Sequence, residues 1–130
     1  MGLTRNYGTS LYNWLSQFAI TFREPVTPKQ LENKGNPTEY ITYSSTSGNF
    51  SGSFIQPISI YSKSTAYSHI MDIVDAIENA IGEHGIRLNE TWGTLTIYKG
   101  NPFYQDKAEE DTAYRAGYVN LEITIYQYNV

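Results

Sequence analysis

The chain has 130 residues, a length that points to a single domain with room for a real core. Only 17% of the residues are charged and the formal net charge is −4, which argues against a general nucleic-acid binder with a basic patch. Cysteine is absent, which excludes a disulfide scaffold and a thiolate metal site.

Residues 4–20, TRNYGTSLYNWLSQFAI, carry helical spacing. Tyr7, Leu11, Trp14, Leu15 and Phe18 fall on one face, with Thr9 or Ser10 as a possible cap after the weakening Gly8. Residues 23–40 hold Pro25, Pro28, Gly35 and Pro37, so they read as an extended connector. A short β-rich run, EYITYSS, follows at 39–45, and the Ser/Gly-rich residues 44–53 read as a flexible hairpin tip. In the alternating run SFIQPISIYS (53–62), Pro57 lacks a ladder donor, so this strand is expected at an edge or with a bulge.

The strongest helix signal spans residues 64–85, with Ile70, Ile73, Val74, Ile77 and Ile81 as its buried stripe. Ser64 or Thr65 can cap its start, and Gly82 or Gly85 can end it. Leu95 and Ile97 share one phase of a strand over 92–100. The last strand runs from about Tyr118 to Tyr128, with Val119, Leu121, Ile123 and Ile125 on its apolar phase. One polar phase describes a sheet covered on a single face. The fold class expected is α+β: one domain over 1–130, with about four mainly antiparallel strands and two helices on one face, in the order α-β-β-α-β-β.

Chemistry-bearing patterns are sparse. His69 and His84 stand fifteen residues apart, which is no metal-ligand spacing on a helix. Asp106, Glu109, Glu110 and Asp111 form an acidic cluster, but DKAEED lacks the alternation and the Gly turn of a calcium loop. No G-x-S-x-G or phosphate-cradling Gly motif is present. No catalytic residue, cofactor or metal is assigned.

Two features exceed what a lone domain requires. The stretch 100–116 reads as a long loop or arm. The outward phase of the last strand carries Tyr118, Tyr126 and Tyr128 where Lys, Glu and Thr would be usual. Aromatics reach 15%, with 12 Tyr among them, and Tyr suits surfaces that are sometimes exposed and sometimes buried. The alternative is cross-strand pairing within the sheet. The candidate interface with another chain comprises Tyr104, Asp106, Glu109, Glu110, Asp111, Tyr114, Arg115, Tyr118, Tyr126 and Tyr128.

The succession EYITYSS, QPISIYS, AYSHIMDIVDAIENAI, GTLTIYKGNPFYQD and YRAGYVNLEITIYQY resembles tail terminator proteins of long-tailed bacteriophages, also called minor capsid or minor tail proteins. The likeness covers roughly residues 37–128 and rests on pattern and order, with the YNWL helix fitting the family's N-terminal helix. It implies a non-enzymatic virion protein that caps the tail tube as a hexameric ring, stops its growth and offers a head-joining surface. The implied partners are copies of itself, the tube protein and the head-completion or connector protein. DNA would pass through the channel without specific binding, and assembly would take place in the host cytoplasm, at the neck of the virion tail. Six copies would total −24, and part of this charge facing the channel would repel phosphates. A head-completion or stopper protein is the nearest alternative; a small ligand-binding module and a metal-dependent enzyme are alternatives of other classes. The first twenty residues show no basic region ahead of an apolar core, so no signal peptide is expected. No apolar run approaches the roughly 20 residues of a membrane span. A soluble, intracellular product without membrane contact is the expectation.

Overall fold

The computed structural model describes residues 2–44, 52–63, 66–107 and 114–128. Along the chain these form α1 (Leu3–Leu15), β1 (Ile20–Arg23), α2 (Pro28–Asn33), β2 (Glu39–Tyr43), β3 (Ser53–Ser62), α3 (Ser68–Ile81), β4 (Ile86–Asn89), β5 (Gly93–Lys107) and β6 (Arg115–Gln127). The six strands join one curved, half-barrel sheet in the order β1-β2-β3-β6-β5-β4. β1 and β2 are parallel and every other pair is antiparallel, so the sheet is mixed. The expectation of four strands and two helices in the order α-β-β-α-β-β is therefore wrong.

Three short elements account for the difference. Residues 23–40 are not a plain connector. Thr27 and Gln30 form a reciprocal capping box, with Pro28 in the first helical turn, and together they start α2. This one-and-a-half-turn helix buries none of its side chains, so hydrophobic spacing could not announce it. It lies in the crossover that parallel strands β1 and β2 require. β1 and β4 have four residues each, too few to show a period of two.

The core lies between the inner face of the sheet and the apolar stripes of α1 and α3. α1 contributes Tyr7, Leu11, Trp14 and Leu15, and α3 contributes Ile70, Val74, Ile77 and Ile81. Opposite them stand Ile41, Ile58, Ile60, Leu95, Ile97, Val119, Leu121 and Ile123. Each such aliphatic side chain contributes about 1.5–3 kcal/mol on full burial. α1 ends at Leu15, short of the expected limit at 20, and Ile73 is only half-buried. Gly82 ends α3 at φ 74, a left-handed conformation suited to Gly. Ser64 and Thr65, the expected caps of α3, lie outside the described residues, as does most of the expected hairpin tip at 44–53.

Pro57 lies in the interior strand β3, in unbroken register opposite Asn120 of β6. On the other side, β2 pairing stops at Ile58, so from Ser53 to Pro57 the strand has only β6 as a partner among the described residues. The proline thus stands where β3 becomes a local edge. Gln56, fully buried, closes the gap: its Nε2 donates to the carbonyls of Ser44 (3.1 Å) and Pro57 (3.0 Å), and its Oε1 accepts from the Tyr7 hydroxyl (2.8 Å).

The stretch expected as a loop over 100–116 is mostly strand. β5 continues to Lys107 and β6 begins at Arg115. Between the pairs Lys99–Leu121 and Tyr104–Val119, four β5 residues oppose Asn120 alone. Asn120 Nδ2 donates to the Pro102 carbonyl across this bulge at 2.9 Å.

Candidate functional site

The bulge decides where the predicted residues point. Beyond it, Tyr104 and Asp106 lie on the helix side of the sheet, opposite Val119 and Gly117. The Tyr104 ring covers Gly117 so closely that a Cβ there would collide with it. Its hydroxyl donates to Asp106 Oδ1 at 2.7 Å. Burial raises the Tyr104 pKa above the ordinary phenol value, and the Asp106 hydrogen bond and charge raise it further.

Lys107 and Tyr118 face the other way, onto the outer surface of the sheet. The Lys107 ammonium sits 5.0 Å from the Tyr61 ring centroid and 5.1 Å from that of Tyr118, and it donates to the Tyr61 hydroxyl at 2.8 Å. Tyr61 stacks on Tyr40, and Tyr40 meets Phe22 edge-on. A continuous aromatic row therefore crosses β1, β2, β3 and β6. Tyr114 is half-buried under the Lys63 ammonium at 6.0 Å, and Arg115 Nη1 donates to the Tyr114 carbonyl. Glu109, Glu110 and Asp111 lie outside the described residues.

Tyr126 and Tyr128 form a separate patch. Tyr126 is eight residues from Tyr118 along β6, roughly 26 Å. The Tyr126 and Tyr128 rings pack edge to face at 6.1 Å, and Tyr126 is 63% exposed. On the same outer face, Ile55, Glu122 and Tyr98 stand side by side across β3, β6 and β5, with Ile55 and Tyr98 both exposed. The structure thus splits the seven predicted residues that it describes between opposite ends of the sheet. Sequence reading missed Ile55 and Tyr98, although each lies on the outward phase of its own strand.

Sequence reading also missed a groove at the end of the sheet where β1 and β2 finish. A cavity of about 790 Å³ opens between the N-terminal half of α1 and the ends of β1 and β2, lined by Arg5, Tyr7, Tyr12, Arg23, Tyr43 and Gln56 among others. A smaller cavity of about 400 Å³ shares Tyr12, Arg23 and Tyr43 with it and extends to Lys34 beside α2. Burial raises the Tyr7 and Tyr43 pKa values; at Tyr43 the Arg23 charge opposes that rise. No local motif marks this groove, because its residues come from five separate segments.

Among the described residues, no group of three or more His, Asp or Glu side chains is placed to hold a metal ion. His69 Nδ1 instead faces Glu39 Oε2 at 3.4 Å. No helix among them is long and apolar enough to cross a membrane. No protein-family model matches the chain, and comparison with curated proteins gives no significant match.

Proposed function

We propose that the chain is a structural subunit of a bacteriophage tail neck, which assembles head to tail into a ring, caps the tail tube and stops its growth. The observation that carries this reading is a set of exposed large apolar side chains on the outer face of the sheet: the Tyr126–Tyr128 pair, and Ile55 and Tyr98 flanking Glu122 two rows away. Large amphipathic rings grouped on one surface are the composition of an interface core. A ring also needs two different surfaces on each subunit. The Lys107–Tyr61–Tyr118 cluster and the groove beside α1 differ from the patch in charge and shape and are available as the second. In the ring, one side meets the tube protein and the other the head-completion protein, while DNA passes without specific contacts.

Sedimentation velocity across a concentration series, with and without tail tubes, tests assembly. The expected result is a closed oligomer, which Tyr126→Ala weakens while the monomer stays folded. Deletion of the gene from its phage should yield tails of uncontrolled length. Tails of normal length joined to heads would refute the reading.

A further inference from the structure

The groove beside α1 has one sign of charge. The chain contains nine Lys and Arg against thirteen Asp and Glu. Three of those cations, Arg5, Arg23 and Lys34, line the two adjoining cavities, and among the described residues no carboxylate does. The ion pairs seen among the described residues, His69–Glu39 and Lys99–Glu78, lie elsewhere. The first turn of α1 adds to the same field. Its N-cap, Gly2, offers no side-chain acceptor, and Gly2 and Thr4 border the larger cavity. Between the cations stand Tyr7, Tyr12 and Tyr43, so the walls offer apolar rings beside positive charge. A cleft of about 790 Å³ is within the usual range of ligand sites, roughly 300–1,000 Å³. The chemistry it selects is an extended segment with several carboxylates.

We propose that this groove receives the acidic segment 106–111 of a neighbouring copy of the chain. That segment holds four carboxylates, at Asp106, Glu109, Glu110 and Asp111, against one lysine. The lysine, Lys107, is engaged by Tyr61 and Tyr118 on the outer face, and Asp106 is engaged by Tyr104. Glu109, Glu110 and Asp111 therefore supply the docking charge, matched to three cations. β5 ends at Lys107, opposite Ala116 and level with Tyr61 of β3, whereas the groove lies beside Gln56, five residues away along β3 and roughly 17 Å off. With donor and acceptor surfaces at opposite ends of one strand, docking runs from one copy to the next. Such a contact is heterologous and repeats, which is what a ring requires. This inference rests on the ring reading and gives it a second interface, next to the aromatic patch.

Two measurements test it on the full-length protein. In the first, a labelled peptide of residues 105–114 is titrated by fluorescence anisotropy at low and at moderate salt. Binding is expected, weakening as salt rises. Affinity should fall at least tenfold in Arg5→Glu/Arg23→Glu and less in Arg23→Gln, which guards against a folding defect. Absence of binding, or equal binding by the arginine variants, overturns the proposal. In the second, sedimentation compares the wild type with Glu109→Lys/Glu110→Lys, with Arg5→Glu/Arg23→Glu, and with the chain that carries all four changes. Each reversal should reduce assembly and the combination should restore it. Assembly that survives Glu109→Lys/Glu110→Lys but fails in Arg5→Glu/Arg23→Glu assigns the groove to an acidic segment of a different protein and overturns docking between copies. Unchanged assembly in all variants, with loss in Tyr126→Ala, overturns this inference and leaves the ring reading standing.

Discussion

The Tyr7–Gln56 pair ties α1 to the point where β3 loses its β2 partner, and its worth can be measured. Tyr7 is 2% exposed and Gln56 fully buried, so neither polar group is open to bulk water. Tyr7→Phe keeps the ring and its edge-on contact with Phe54 at 5.3 Å, and deletes the donor to Gln56 Oε1. A buried acceptor deprived of its donor costs about 1–3 kcal/mol. Gln56→Leu does more damage. It removes the Gln56 acceptor of the Tyr7 hydroxyl and the donor to the Ser44 and Pro57 carbonyls. About 2–4 kcal/mol is expected for that set. The double variant replaces both partners with apolar groups, so the penalty for the unpaired Tyr7–Gln56 atoms is no longer counted twice. It should be about 1–2 kcal/mol more stable than the sum of the singles. Urea unfolding followed by Trp fluorescence reads this directly, since Trp14 is buried in the same core. The m-value should stay constant, so that the shift in midpoint reports stability. A Tyr7→Phe protein within about 0.3 kcal/mol of wild type, or strict additivity in the cycle, would refute the reasoning.

The same tyrosine makes stability fall at alkaline pH. Its folded pKa lies above the ordinary value of about 10, mainly through burial, so stability is intact below about pH 10 and declines as the pH rises toward the folded value. The loss per group approaches about 1.4 kcal/mol per pH unit, and Tyr7→Phe should make the slope shallower by up to that amount in urea titrations above about pH 10. Gly117→Ala should cost about 1–3 kcal/mol in a thermal melt, because its Cβ would meet the Tyr104 ring, and Tyr104→Ala in the same chain should recover part of the loss. Ile123→Asp, at a fully buried position between Phe54 and Ile97, should lower stability by more than about 4 kcal/mol or prevent folding, as judged by circular dichroism. Tyr126→Ala, at a mostly exposed position, should cost the monomer about 0.5–1.5 kcal/mol through its contact with Tyr128 and act mainly on assembly.

Long periodic elements were legible in the sequence, and elements held by other means were not. The stripe of α3 and the alternation of β6 from Val119 to Ile125 could be read off directly, because burial on one face repeats over seven residues or more. α2 rests on a Thr–Gln capping box, a local hydrogen-bond motif that leaves no apolar pattern. β1 and β4 take their place from neighbouring strands. Phe22, which reads as one aromatic among many, is fixed by Tyr40 beside it in the parallel partner. Pro57 gave a correct physical warning about a missing donor. What it could not reveal was the remedy, a glutamine side chain that takes over where β2 pairing ends.

The β5 bulge shows most clearly how one local event hides a site. From Lys99 to Tyr104 the strand advances five residues while β6 advances two. An odd step against an even one exchanges the faces, so the inward phase of Leu95 and Ile97 passes to Tyr104 and Asp106. A reader following a period of two sees the pattern fail at Gly100 and places a loop there. The failure is instead a change of phase within a continuing strand. It turns Tyr104 and Asp106 toward the helices and leaves Lys107 to the tyrosines outside. With Asp106 and Lys107 thus occupied at the strand's end, the net negative charge of the stretch resides in Glu109, Glu110 and Asp111. The cationic groove is hidden for the complementary reason: Arg5, Arg23 and Lys34 are far apart in sequence and share no motif until β1 aligns beside β2. An acidic run visible in one segment and a basic groove assembled from five are what charge pairing between copies would require of a single chain.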